Sequence, residues 1–87
     1  MKLKELENTF RLLSGRKRLE ILRLLSDGLP RVVGDIADKI KLSLKATSKH
    51  VLLLAQGDVL ERHRDKQVVY YRINSEMPKA AGAVIKF

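Results

Sequence analysis

Lys45, Ser48 and Lys49, inside the stretch from Ser43 to Gln56, carry the most pointed chemistry in this sequence. Placed on a helix at about 100° per residue, the two lysines project a turn apart from one side, with Ser48 at its edge. Thr47, Val51 and Leu54 gather on the other side with His50 beside them. Lysine reaches phosphates or guanine edges and serine bonds either, so such an outer face suits the major groove of double-stranded DNA. A second cationic group follows in Arg62, His63, Arg64 and Lys66, with Arg72 after it. Cations at a protruding tip neutralise phosphates or enter a minor groove, whose negative potential attracts arginine. A solvated helix face or a protected strand edge would use the same residue types. The combination of the two groups, in order, favours nucleic acid.

Other chemistry finds little support. There is no cysteine, so thiol nucleophiles, disulfides and thiolate metal sites are all absent. No glycine-rich phosphate loop occurs, and neither histidine lies in a catalytic motif. We therefore expect no enzyme, no catalytic residue, no bound metal and no cofactor. His50 reads as a packed helix residue and His63 as a hairpin residue.

The elements that must position these groups follow from periodicity. Leu3, Leu6, Phe10 and Leu13 recur at spacings of three and four, an amphipathic helix interrupted by Ser14 and Gly15. A second helix carries Leu19, Ile21, Leu22, Leu24 and Leu25 and stops at Asp27 and Gly28, with Pro30 beyond. A third, shorter helix buries Ile36, Ala37 and Ile40 and places Asp35 and Asp38 early, toward the positive end of its dipole. Ser43 is a good N-cap for the fourth. Two short helices joined by about three residues make a helix-turn-helix. Val59 and Leu60, then Val68 to Ile73, flank Arg64, Asp65, Lys66 and Gln67 and predict a β-hairpin. Ser75, Pro78 and the stripe Ala80, Ala81, Val84 and Ile85 predict a short last helix.

The fold class expected is mainly α with a small β-hairpin: a winged helix-turn-helix of about five helices plus a two-stranded wing, in one domain spanning residues 1–87. A chain of 87 residues has a marginal core of its own, and without cysteine a partner subunit is the remaining way to reinforce it. Eighteen Lys and Arg against ten Asp and Glu give a net charge of +8, which calls for a polyanionic partner. No apolar run approaches the roughly 18 residues of a membrane span, and the first residues lack a signal-peptide pattern. These features predict a soluble, cytoplasmic protein with no membrane partner.

From Phe10 to Ile73 the sequence resembles the ArsR family of bacterial and archaeal winged-helix repressors. The matching residues are Arg18-Leu19 with Ile21-Leu22, Val33-Gly34-Asp35-Ile36-Ala37, Leu42-Ser43 with Ser48-Lys49-His50, and Arg64-Asp65-Lys66 leading into Val69-Tyr70-Tyr71-Arg72. The resemblance implies a homodimeric, sequence-specific repressor of transcription with its fourth helix in the major groove. It implies Lys45, Ser48 and Lys49 as reading positions and Arg62, Arg64 and Lys66 as wing contacts. It also assigns Leu3, Leu6, Phe10 and Leu13, with Ala81, Val84 and Ile85, to the dimer interface. Lys41 and Asp58 stand where the family often has glycine, and Leu44 and Leu52 replace residues commonly polar there, with Leu52 on the outer face. The family's metal ligands are missing, since Val32 and Val33 occupy one region and no histidine follows His63. No effector is implied. The competing readings are a sequence-independent architectural or RNA-binding protein relying on charge alone, and a winged-helix protein-interaction module using Leu44 and Leu52.

Overall fold

The structure, a computed structural model, describes residues 2–85, and for Ala80 and Val84 the backbone alone. Helix α1 (Leu3–Leu13) ends at Ser14 and Gly15, and α2 (Arg16–Leu24) begins at once. The junction needs Gly15, whose φ of 120° residues with a Cβ rarely adopt. A 3-10 turn, Leu25–Asp27, closes α2, and Gly28 continues it in the left-handed region at φ 79°. The Asp27 carboxylate ties this exit down by accepting from the Leu29 N–H at 2.9 Å and from Arg31 at 2.8 Å. The Leu29 N–H above all, with Arg31, lowers the carboxyl's pKa from its ordinary value against the opposing effect of desolvation.

Strand β1 (Arg31–Val32) leads into α3 (Val33–Ile40), which buries Ile36, Ala37 and Ile40 as its periodicity requires. Lys41 then turns left-handed, with φ 56° and ψ 53°, and the Leu42 N–H reaches back to the Ala37 carbonyl at 3.1 Å. Helix α4 (Leu44–Gln56) starts on Ser43, whose Oγ accepts from the Ala46 N–H at 3.1 Å. Its apolar side, Thr47, Val51 and Leu54, is buried. Thr47 satisfies its hydroxyl by donating to the Ser43 carbonyl at 2.8 Å, so a polar atom enters the core with its partner supplied. Asp58, the other residue at a position where the family often has glycine, is also left-handed, at φ 62°.

Strands β2 (Leu60–Asp65) and β3 (Val68–Ile73) form the expected hairpin, in the antiparallel register Leu60↔Ile73, Arg62↔Tyr71, Arg64↔Val69. Its two-residue turn puts Lys66 at φ 58°, the sign that tight hairpins demand. The wing was expected to have two strands. It has them, and β1 adds a third strand to the sheet, in the order β1-β3-β2, because Arg31 and Val32 pair with Tyr71 and Tyr70. Two residues are too few to show a strand period. Helix α5 (Lys79–Val84) follows a turn in which Asn74 Oδ1, rather than Ser75, accepts from the Glu76 N–H. Among the described residues no helix is long and apolar enough to cross a membrane.

Ile21, Leu22 and Leu25 of α2 and the turn after it, Ile36 and Ile40 of α3, and Val51 and Leu54 of α4 meet Val59, Leu60 and Tyr71 in one core. Leu13 and Ala81 belong to it as well. Both side chains are buried inside the subunit, unlike Leu3 and Phe10 of the same predicted interface. Leu19, at the edge of the α2 pattern, is exposed.

Candidate nucleic-acid interface

Because α4 spends Thr47, Val51 and Leu54 on the core, helix geometry obliges the side carrying Lys45 and Lys49 to face outward. Both lysines are exposed and Ser48 is half-buried at the margin. Leu52 and Leu53 flank the lysines on this outward side, 45% and 38% open to solvent, and Leu44, 57% open, stands in the first turn of the helix. Ser43 places the start of this helix, and α2 clamps it from behind. Arg18 donates through Nε to His50 Nδ1 at 3.1 Å and through a second nitrogen to the Leu12 carbonyl at 2.9 Å. Lys17 Nζ donates to the Ile40 carbonyl at 2.7 Å, a cation at the negative end of α3. His50 is thus a packed residue, as expected, and its proton affinity falls below the ordinary histidine range through burial and the nearby positive charges of Arg18 and Lys49. Sequence reasoning missed Arg18 and Lys17. Each reaches a partner far along the chain, and no local pattern announces such a bond.

Strand pairing settles where the wing cations stand. Directly paired residues share a face, so Leu60, Arg62 and Arg64 share one with Ile73, Tyr71 and Val69. Near the body that face is core, at Leu60 and Tyr71. Beyond the body it has no core left to cover and turns to arginine. Arg62 rests on the Tyr71 hydroxyl, donating to it at 3.3 Å, while Lys66 sits at the tip. His63 lies on the opposite face beside Tyr70. Arg72 shares that face and is engaged by Glu61 at 2.8 Å, which leaves it less available than the tip cations. Among the described residues Lys45, Lys49, Arg64 and Lys66 join no ion pair.

The rest of the predicted interface residues separate by exposure. Leu3 and Phe10 stand open on α1, at 83% and 50%, with Leu6 half-buried between them. Ile85, just past α5, is half-buried against the core, and the side chain of Val84 lies outside the described part of the structure. Among the described residues no three His, Cys, Asp or Glu side chains gather to hold a metal ion.

Comparison with known proteins places this arrangement. Residues 15–56, from the turn before α2 to the end of α4, match the family model of bacterial regulatory proteins of the arsR family. The chain is 36% identical over 70 residues to the transcriptional repressor SdpR of Bacillus subtilis, covering 80% of this chain and 77% of SdpR. The solution structure of the homodimeric winged helix-turn-helix DNA-binding domain Mb0332 of Mycobacterium bovis superposes with a TM-score of 0.78 at 31% identity, over 93% of this chain and 72% of that one. The transcriptional repressor PagR of Bacillus anthracis gives 0.76 at 28% identity, over 94% and 91%.

Proposed function

The chain belongs to the arsR family of bacterial regulatory proteins, and from that premise we propose that it is a homodimeric, DNA-binding repressor of transcription acting in the cytoplasm. Residues 1–87 serve as one winged helix-turn-helix domain. Two copies of α4 enter successive major grooves about 34 Å apart, and the bound dimer occludes a promoter. Lys45, Ser48 and Lys49 meet base edges and phosphates, while Arg62, Arg64 and Lys66 hold the flanking backbone. Leu3, Leu6 and Phe10, with Ile85, supply the surface where two subunits join. The proposal assigns no catalytic residue, as befits a family of regulators.

The observation that carries this reading is the outward basic side of α4, held by a buried apolar side and free of ion pairs among the described residues. Fluorescence anisotropy on genomic fragments tests it. Wild type should select a near-palindromic site, and Lys45→Ala/Lys49→Ala should lose most of that preference, with its salt dependence lowered by roughly 0.9 for each phosphate contact removed. Equal, sequence-blind binding by both proteins would reject readout through this helix in favour of attraction by charge alone.

A further inference from the structure

Leu44, Ser48 and Leu52 follow one another at intervals of four residues and form a single ridge along α4, parallel to the ridge of Lys45 and Lys49. Exposed leucines are ordinary when scattered. Here Leu52, 45% open, lies beside the lysines, and Leu44, 57% open, occupies the first turn of the helix that meets DNA if the proposed function holds, and this inference rests on that reading. A leucine pressed against the polar edge of a base would strand a donor or acceptor without a partner, at a cost. The major groove contains one apolar group that removes the conflict, the C5-methyl of thymine. We propose that Leu44 and Leu52 read thymine methyl groups and so set the base preference of the site.

Position and charge support this occupant over a protein partner. Leu44 is the first residue of α4, and the N-terminal residues of a recognition helix are those that approach base edges. The neighbouring lysines suit a polyanion, whereas the centres of protein interfaces are depleted in lysine. Eight residues of helix separate the two leucines by about 12 Å along the axis, or three to four base-pair steps of about 3.4 Å each. Each half-site should therefore contain two methyl-sensitive thymines at roughly that spacing.

Replacing thymines singly by deoxyuridine in the footprinted site tests the idea, because the exchange deletes the methyl group and leaves base pairing intact. Each sensitive position should weaken wild-type binding about fourfold, the worth of one buried methyl group. Leu44→Ala should abolish the effect at the one position and Leu52→Ala at the other. Both leucines are exposed, and alanine is at least as good a helix former, so the variants should fold. A discrete footprint with no methyl-sensitive position, or sensitivity unchanged in both variants, overturns the inference while leaving the regulator reading intact. Absence of any discrete footprint overturns that reading, and this one with it. A leucine variant that binds DNA as wild type does but loses a co-purifying protein also overturns it, in favour of protein docking.

Discussion

Helices α1 and α4 are close in length, at 11 and 13 residues, yet the subunit treats them in opposite ways. Helix α4 has a side-chain cap, buries Thr47, Val51 and Leu54, and shows solvent Lys45, Lys49 and Gln56 interspersed with Leu44, Leu52 and Leu53. Helix α1 lacks a side-chain cap, buries Leu13 alone, and leaves Leu3 and Phe10 open. One subunit is sufficient to hold α4 in place with its lysines outward. It is insufficient to cover α1. Under the proposed function, the surface that meets DNA is complete in one chain, whereas the one that meets a second chain is marked by the apolar area that α1 leaves uncovered.

The largest effect should come from breaking that contrast at α1. Phe10→Asp places a charge on the uncovered stripe without touching the core, so the subunit should fold but not pair. Light scattering at micromolar concentration should then give the monomer mass where wild type gives the dimer. Affinity for a two-half-site duplex should fall by about 10² or more, since the second recognition helix no longer binds at a high effective concentration. Lys45→Ala/Lys49→Ala should remain dimeric. If Phe10→Asp changes neither mass nor affinity, α1 is an ordinary solvated helix and the difference between the two regions means nothing for assembly.

The contrast was only partly legible beforehand. Periodicity picked out Ile36, Ala37 and Ile40, then Thr47, Val51 and Leu54, because one face of each helix is buried within the subunit and its spacing shows directly. Ser43 as a cap was equally readable, being a local matter of backbone chemistry, and the resemblance marked Lys41 and Asp58, where the family often has glycine, as the left-handed positions they are. The stripe on α1 gave a face without a destination. Leu3, Leu6, Phe10 and Leu13 look alike by spacing, but only Leu13 reaches the core. The burial of Ala81 inside the subunit was illegible for the same reason, since a small apolar residue carries no mark of which neighbour it packs on. On α4 and the hairpin the exposure of the candidate lysines and arginines was legible from charge, but the bracing bonds from Arg18 and Lys17 depend on tertiary approach.

A smaller effect lies at the turn between α3 and α4, on the self-sufficient side of the contrast. Lys41 holds φ 56° and ψ 53°, a conformation in which the Cβ crowds the following carbonyl oxygen. Lys41→Gly should relieve that strain and raise stability by about 1 kcal/mol after the greater freedom of glycine in the unfolded chain is deducted. Urea unfolding at a fixed protein concentration measures it. A loss of stability would mean that the lysine contributes more than its backbone costs.

The smallest effect concerns the bond that joins the two regions. Arg18 links the Leu12 carbonyl near the end of α1 to His50 Nδ1 on α4, and only an unprotonated ring nitrogen can accept that bond. Burial first, then the charges of Arg18 and Lys49, hold the folded histidine below its unfolded value. On acidification the unfolded chain therefore takes up the proton before the folded chain does. The stability this histidine supplies is complete above its unfolded value of about 6.5 and is lost as pH falls toward the lower, folded one. Wild type should lose more stability between pH 7.5 and pH 5.5 than His50→Gln, by less than the gain expected for Lys41→Gly. An equal loss in the two proteins would show that protonating His50 costs the fold nothing, and that α1 and α4 are held together by apolar packing without help from this bond.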